Sequence, residues 1–183
     1  PVSEARAGQL GQIITRQVGH MARLVEDLLD VSRVSRGLVV LDKIPVDFCH
    51  IVRDAIEQVG PLVESKSHEL IVLLPSIPCL IQGDRTRLVQ VVANLLGNAA
   101  RYTPEGGNIT VCLTADESGM TLTVEDDGIG LSPELLPYLF DLYVQAERSS
   151  SREKGGLGLG LALVKSLVEA HGGEVSAASG GEG

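Results

Sequence analysis

The sequence predicts a two-layer α/β sandwich, in which a mixed sheet packs on three main helices, preceded by one long helix. Three observations lead to this fold class. Strand-like segments alternate with helical segments from residue 38 onward, two alternating segments flank a turn as in a hairpin, and a heptad pattern occupies the first 35 residues.

The first predicted element is a long helix over residues 4–35. Its apolar positions recur at steps of three and four, which is the spacing of a heptad seam that packs against other helices. The seam residues are Leu10, Ile14, Met21, Leu24, Leu28 and Val31. The seam either pairs with a second copy of the chain or docks on another part of the molecule. Residues 35–37, Ser-Arg-Gly, end the helix.

Residues 38–74 predict a strand, a helix and a second strand. Residues 38–41 are expected to form a short strand, and Pro45 and Asp47 begin a helix that extends to about Lys66, with Asp47 as its N-cap. The second strand is expected over residues 69–74 because prolines bound this apolar run. The apolar face of the helix consists of Ile51, Val52, Ala55, Ile56 and Val59.

The central helix follows Asp84, its expected N-cap, and extends to Thr103 with one narrow polar stripe. On a helical wheel the stripe residues fall within roughly 40° of Asn94. They are Arg87, Gln90, Asn94, Asn98 and Arg101. The stripe has no carboxylate and no lysine, whereas a solvated face would mix acids and bases. Guanidinium groups suit phosphate and amide oxygens suit a hard cation, so we expect a phosphate with a metal ion here. An amphipathic helix with an unusual surface is the alternative.

The segment after the central helix predicts a turn, a hairpin and a short helix. Residues 104–107 form the turn, and residues 108–114 and 121–125 alternate as the two strands of the hairpin. Residues 133–140 are expected to form a short helix.

Two glycine motifs flank a polar segment that we expect to be a lid. The first, Asp-Asp-Gly-Ile-Gly at 126–130, follows the hairpin directly and lets a ligand approach the backbone. The second, at 155–160, leads into a helix over residues 161–170, and a glycine loop at a helix N-terminus is suited to an anion. Residues 145–154 between them are the expected lid. Residues 171–175 should end the helix and start another strand.

The composition excludes several classes of function. Of the 183 residues, 44% are hydrophobic and 3% aromatic, which predicts an aliphatic core. The net charge of −9 argues against a nucleic-acid surface. No apolar run approaches the ~20 residues of a membrane span, and no signal peptide is evident. The three separated cysteines, Cys49, Cys79 and Cys112, are expected to be small buried hydrophobes in a reducing compartment.

In this order, the motifs resemble the ATP-binding domain of bacterial sensor histidine kinases. Residues 94–103 are similar to the N box of that family, residues 126–130 to its G1 box, residues 139–143 to its F box, and residues 156–160 to its G2 box. This resemblance covers residues 38–183 and implies a catalytic domain of the Bergerat type. Residues 1–37 resemble the second helix of the family's dimerisation and phosphotransfer domain.

The resemblance implies a role for each matching residue. Asn98 would ligate Mg²⁺, Asn94 would orient the γ-phosphate or the attacking group, and Arg101 would contact phosphate, so that Asn94 and Arg101 act in catalysis. Tyr102 would flank the adenine, and Asp126 would accept a hydrogen bond from its amino group. The residues implied to bind ATP are Asn94, Asn98, Arg101, Tyr102, Asp126, Gly128, Ile129, Gly130, Lys154, Gly156, Leu157, Gly158, Leu159 and Gly160.

Three departures from the family's pattern affect these expectations. Tyr143 stands where the F box has a second phenylalanine. The family has one more strand after residue 183, so the sheet is expected to lack an edge. The first phosphotransfer helix, with its acceptor histidine, is absent. The four histidines are His20, His50, His68 and His171, and none has the sequence context of an acceptor.

The sequence therefore predicts the catalytic part of a two-component sensor histidine kinase, which binds Mg-ATP and transfers its γ-phosphoryl group to a histidine. The implied partners are the receiver domain of a response regulator and a second copy of the parent protein, with no nucleic acid and no membrane contact by this fragment. The expected location is cytoplasmic, even where the parent is membrane-anchored. Two alternatives stay open: an ATPase of the gyrase, Hsp90 or mismatch-repair kind, which would use glutamate at the position of Asn94, and an inactive nucleotide-sensing module.

Overall fold

The computed structural model describes residues 40–116, 119–144 and 158–181, together with eight separate positions between residues 11 and 29. Those eight positions have helical backbone, as the heptad pattern predicts. The other positions of the leading helix lie outside the described residues, as does the expected lid at 145–154.

The described part is an α/β structure with a mixed sheet, which confirms the predicted fold class. Its elements are β1 (Ile44–Asp47), α1 (Phe48–Ser65), β2 (Glu69–Leu73), β3 (Leu80–Gly83), α2 (Arg85–Tyr102), β4 (Asn108–Asp116), β5 (Gly119–Asp126), a 3-10 turn (Leu136–Tyr138) and α3 (Gly160–His171). The main sheet has the order β2-β4-β5, with β2 parallel and β5 antiparallel to β4. β1 and β3 form a separate antiparallel pair.

The two long helices begin where the sequence predicts them to begin. The Asp47 carboxylate accepts a hydrogen bond from the Cys49 amide at 3.0 Å, and the Asp84 carboxylate accepts one from the Arg87 amide at 3.2 Å. A side-chain oxygen at the N-cap pairs an N–H group that has no acceptor within the helix. α1 buries the face listed from the sequence, apart from the half-buried Ile56, and adds Phe48, Cys49 and Val63 to it.

α2 is the central element because it contributes to two apolar cores. Toward the sheet it buries Leu88, Val89, Val92, Leu96, Ala99 and Ala100 with residues of α1, β4 and neighbouring strands. On another side Val91 packs with four residues of the segment that contains α3, namely Leu159, Leu163, Val164 and Leu167. The polar stripe of α2 is left between these two packed faces, so that the packing determines which way the stripe points.

The structure corrects four local expectations. Positions 40–43 have no strand and β1 lies at Ile44–Asp47, so the strand expected at 38–41 is wrong at residues 40 and 41, while residues 38 and 39 lie outside the described residues. The following helix begins after its expected N-cap, Asp47, and Pro45 belongs to β1. β3 was not predicted, because a four-residue strand that pairs only with the distant β1 has little pattern of its own. The expected helix at 133–140 is reduced to a 3-10 turn, since Pro137 lacks an N–H donor and obstructs a helical backbone.

The fourth correction concerns the strand expected to begin after His171. The helix does end there, with Gly172 in the left-handed region at φ 87°, but residues 173–181 have no ladder partner in the described part of the chain. β5 is consequently an edge of the three-stranded sheet among the described residues. None of the helices in that part is long and apolar enough to cross a membrane.

Candidate functional site

The polar stripe of α2 opens into a large cleft of about 1990 Å³. Its walls come from α2, one face of α1, β5 with the following turn, the segment around the 3-10 turn, the start of α3 and residues 174–181. Eleven of the residues expected to bind ATP line it: Asn94, Asn98, Arg101, Tyr102, Asp126, Gly128, Ile129, Gly130, Gly158, Leu159 and Gly160. The other three, Lys154, Gly156 and Leu157, lie outside the described residues.

The stripe contains two arginine–amide pairs, one near each end of α2. Arg101 donates from Nη1 to Asn98 Oδ1 at 2.9 Å, and Arg87 donates from Nη1 to Gln90 Oε1 at 3.0 Å. Each pair joins residues three positions apart, which a helix brings to the same side. These bonds hold the guanidinium groups along the cleft wall, and a guanidinium group is suited to phosphate oxygens.

Asn94 lies between these pairs and has an unsatisfied donor. Its Nδ2 atom is buried and has no hydrogen-bond partner among the described residues. Asn94 lies close to Gly160 at the start of α3, where a Cβ atom would lie 3.8 Å from Asn94 Oδ1. α3 begins there without a side-chain cap. A buried amide donor therefore lies next to the N-terminus of a helix, the end that favours an anion.

The turn after β5 packs directly on the C-terminal end of α2. Asp126 accepts a hydrogen bond from the Gly128 amide at 3.0 Å through Oδ1, and the Ile129 amide donates to the Tyr102 carbonyl at 3.3 Å. Gly128 has no space for a side chain, because a Cβ atom would lie 2.8 Å from the Tyr102 carbonyl oxygen. The glycine is therefore required for close packing, and the Asp126 carboxylate is held at the mouth of the cleft.

Asp127, the second acid of the motif, has a structural role. Its carboxylate accepts hydrogen bonds from the backbone amide and from Nδ2 of Asn108, each at 2.7 Å. These bonds, first the one from the Asn108 side chain, lower the pKa of Asp127 below its ordinary value. The two neighbouring acids thus have different environments, since Asp127 is hydrogen-bonded to Asn108 at the start of β4 and Asp126 lines the cleft.

Gly158 of the second glycine motif is hydrogen-bonded to the segment that resembles the F box. The Tyr143 amide donates to the Gly158 carbonyl at 3.2 Å. Gly158 has a φ of 70°, and a Cβ atom would lie 2.7 Å from the Val144 carbonyl oxygen, so both conformation and space favour glycine. Leu159 is only 2% exposed and packs in the apolar core with α3, so its side chain contributes to packing more than to the cleft surface.

Sequence reasoning omitted several cleft residues from the expected site. Four are apolar and come from the segment around the 3-10 turn: Leu135, Leu139, Phe140 and Val144. The similarity of residues 139–143 to the F box could have indicated Leu139 and Phe140. Ser179 was also omitted, and its hydroxyl accepts a hydrogen bond from the Leu131 amide at 3.0 Å. No local pattern in the sequence indicates that contact.

Comparison with known proteins supplies the family context. Residues 83–183 match the family described as histidine kinase-, DNA gyrase B-, and HSP90-like ATPase. The chain is 37% identical to hybrid signal transduction histidine kinase L of Dictyostelium discoideum over 92% of its own length and 10% of that protein. It is 39% identical to sensor histidine kinase TrcS of Mycobacterium tuberculosis over 91% of its length and 33% of that protein. The chain therefore spans a third or less of these curated relatives.

Two solved structures are similar over nearly the whole chain. The Acinetobacter baumannii histidine kinase AdeS superimposes with a TM-score of 0.76 at 26% identity, covering 98% of this chain and 80% of that one. Full-length ShkA in complex with AMPPNP gives a TM-score of 0.73 at 29% identity, covering 94% of this chain and 35% of that one.

Proposed function

The chain belongs to the histidine kinase-, DNA gyrase B- and HSP90-like ATPase family, and from this premise we propose that it is the catalytic part of a two-component sensor histidine kinase. It binds Mg-ATP in the cleft beside α2 and transfers the γ-phosphoryl group to a histidine of a phosphotransfer helix. Its relatives TrcS and AdeS are named as histidine kinases, and the complex of ShkA holds an ATP analogue.

The buried Nδ2 donor of Asn94 is the observation that carries this proposal. Leaving such a donor unpaired costs about 1–3 kcal/mol, which a ligand oxygen would recover. The N-terminus of α3 beside it favours a negatively charged ligand. A phosphate group satisfies both features. We assign Asn94 to the γ-phosphate side of the cleft, with Gly158 and Gly160 as proposed backbone contacts of the phosphates.

The adenine is assigned to the other side, at the mouth formed by α2 and the turn after β5. The Asp126 carboxylate accepts a hydrogen bond from the exocyclic amine, and Tyr102 flanks the base. Gly128, Ile129 and Gly130 form the backbone wall of this part of the cleft. Lys154, Gly156 and Leu157 remain proposed contacts of the phosphates on the basis of the resemblance.

The donor set also fits a magnesium ion shared with the phosphates. Mg²⁺ is usually held by one or two protein ligands together with substrate phosphates, so the Asn98 amide oxygen suffices as the protein ligand. That oxygen now accepts from the Arg101 guanidinium at 2.9 Å. Because two cations would repel each other there, Arg101 would contact the phosphates rather than Asn98 if Asn98 held the ion. The ion would neutralise charge on the phosphates.

The chemistry assigned to this chain is positioning rather than acid–base catalysis. An asparagine amide at residue 94 has no proton-accepting role toward water, which argues against the hydrolytic reaction of the gyrase, Hsp90 and mismatch-repair ATPases. Arg101 stabilises the negative charge of the transferring group, and Asn94 holds it for an in-line attack. The attacking imidazole comes from the phosphotransfer domain, and the receiver domain of a response regulator then accepts the phosphoryl group.

The proposed setting follows from this reaction. ATP and response regulators are cytoplasmic, so we propose that the domain works there, whether or not the parent protein is anchored in a membrane. The parent would be a homodimer through its phosphotransfer helices. Nucleic acid is not among the proposed partners.

The test is phosphoryl transfer in trans. The chain is incubated with γ-labelled ATP together with a separately made phosphotransfer domain from a histidine kinase, and with the same domain lacking its histidine. We expect acid-labile, base-stable label on the intact domain only. Steady release of inorganic phosphate without labelling would instead indicate an ATPase, and nucleotide binding with neither reaction would indicate a sensing module.

A further inference from the structure

The last turn of α2 is held by groups from outside the helix. A helix leaves its final carbonyl groups without partners of its own, and many helices solve this with a glycine in the left-handed conformation. α2 has no such glycine, because Thr103 follows it in an extended conformation, with φ −78° and ψ 131°. The Thr103 amide donates to the Ala99 carbonyl, and the carbonyls of residues 100–103 need other donors.

Three of those four carbonyls are satisfied by the short turn between α1 and β2. Lys66 donates from Nζ to the Arg101 carbonyl at 2.7 Å and to the Thr103 carbonyl at 3.3 Å. The Nε2 atom of the buried His68 lies 3.0 Å from the Ala100 carbonyl, and since a carbonyl only accepts, Nε2 carries the hydrogen. The fourth carbonyl, that of Tyr102, accepts from the Ile129 amide in the turn after β5.

This donor turn is itself fixed on both sides. The Ser67 and His68 amides donate to the carbonyls of Glu64 and Val63 at the end of α1, at 2.9 and 3.1 Å. The Lys66 carbonyl accepts from the Gly106 amide at 2.9 Å. Ser67 has a φ of 54°, a conformation that is unfavourable for a residue with a side chain. The turn keeps this conformation while it presents Lys66 and His68 to α2.

We propose that Lys66 and His68 are positioning residues for nucleotide binding, a role that rests on the function proposed above. They hold the C-terminal end of α2, which contains Asn98, Arg101 and Tyr102. These three residues are the proposed contacts of the metal, the phosphates and the base. The same end of α2 also accepts a hydrogen bond from the Ile129 amide through the Tyr102 carbonyl. Release of the last turn of α2 therefore displaces contacts to both ends of an adenine nucleotide without removing any group that touches it.

Lys66→Met tests this proposal, because methionine keeps much of the apolar stem and removes the charge and the donors. Lys43 provides the matched control, since its Nζ atom donates to the Ala170 carbonyl at 2.9 Å at the end of α3, where no proposed nucleotide contact lies. By calorimetric titration with Mg-ATP and Mg-ADP, we expect Lys66→Met to weaken both affinities by about tenfold, because the last turn of α2 loses both hydrogen bonds from Lys66. Lys43→Met should leave both unchanged.

Further variants and a readout without nucleotide complete the test. Lys66→Arg and His68→Gln keep a donor and should restore most of the affinity, whereas His68→Leu should not. In the nucleotide-free protein, amide hydrogen exchange at residues 98–103 should be faster in Lys66→Met than in Lys43→Met. Equal affinities or equal exchange in the two methionine variants would overturn the proposal. Failure of the wild-type chain to bind nucleotide would overturn the proposed function, and with it this role.

Discussion

At the scale of single residues, the candidate site contains neighbouring residues of the same type that have different hydrogen-bond partners. Asp126 and Asp127 are adjacent, yet Asp127 is engaged by Asn108 and Asp126 lines the cleft. Asn94 and Asn98 are one helical turn apart, yet only Asn98 has an arginine partner. Each difference comes from the element that packs beside the residue.

Asn98→Ala should weaken Mg-ATP binding by about tenfold or more and should leave the fold at least as stable. The amide oxygen is the proposed metal ligand, and alanine is a better helix former than asparagine by roughly 0.5 kcal/mol. Calorimetric titration with and without Mg²⁺ measures the first effect, and urea unfolding measures the second. Lys165→Ala, at an exposed position of α3 that does not line the cleft, is the control. Equal Mg-ATP affinities for the wild type and Asn98→Ala would refute the assignment.

Asp126 should make the cleft selective for adenine over guanine. A carboxylate accepts a hydrogen bond from the amino group of adenine and repels the carbonyl oxygen that guanine has at that position. We expect GTP to compete with labelled ATP at least roughly a hundredfold less well than unlabelled ATP does. Asp126→Asn should reduce this ratio. Competition by GTP as effective as that by ATP would exclude this role.

The pKa of the Asp127 carboxyl should rise toward its ordinary value of 3.8 in Asn108→Ala. Because the folded-state pKa is lowered, the stabilising contribution of this carboxylate is complete above the ordinary value and is lost as the pH falls through the folded value. Carboxyl titration by NMR spectroscopy in both proteins measures the shift directly. An unchanged titration curve would mean that the hydrogen bond from the Asn108 side chain does not cause the lowered pKa.

At the scale of elements, α2 is held at its start as well as at its end. The Asp84 amide donates to His171 Nε2 at 3.0 Å, and His171 Nδ1 lies 2.8 Å from the Leu167 carbonyl. Since Nε2 accepts, the ring is neutral and Nδ1 carries the hydrogen. The last residue of α3 therefore anchors the N-cap of α2, which keeps the N-terminus of α3 aligned with the polar stripe.

His171→Leu should destabilise the fold by about 1–3 kcal/mol, because the part-buried Asp84 amide loses its acceptor. Chemical denaturation against His50→Ala measures this, since His50 is exposed on α1 and its removal should change stability by no more than about 0.5 kcal/mol. Equal unfolding free energies for the two variants would show that the contact does not stabilise the interface between α2 and α3.

At the scale of the whole molecule, the positions of the histidines bear on which of them could accept a phosphoryl group. His68 is buried against α2 and His171 is bonded to the Asp84 amide, so neither is available for attack. His50 is exposed at the start of α1, and His20 lies outside the described residues. Under the proposed function, these contacts leave His68 and His171 as parts of the fold, and we expect the attacking histidine to come from a phosphotransfer helix.

The chain alone should bind ATP and fail to label itself. We expect no acid-labile, base-stable label after incubation with γ-labelled ATP, because no histidine has an acceptor-like sequence context. Acid and base treatment of the denatured protein identifies the bond type. Strong self-labelling of the phosphohistidine type would contradict the expectation, and His20→Gln would then be the first variant to examine.

The sequence by itself determined the fold class, both helix N-caps, the hairpin and the polar stripe of α2. These features are local: a carboxylate before a helix, alternation in a strand and the spacing of polar residues on a helix are all visible within about 20 residues. The motifs similar to the N, G1 and G2 boxes likewise placed eleven residues that the structure brings to one cleft.

Only the tertiary structure decided which groups became partners across the fold. The β1–β3 pair joins segments more than 30 residues apart, and residues 173–181 have no strand partner in the described part of the chain, although the sequence predicts a strand that begins within residues 171–175. In the sequence, Lys66 is the expected end of a helix and His68 directly precedes an expected strand. In the structure, both donate hydrogen bonds to carbonyl groups at the end of α2. The spacing of apolar residues indicates which face of a helix or strand is buried. Hydrogen bonds between distant segments depend on where the packed elements bring their ends, and no local pattern contains that information.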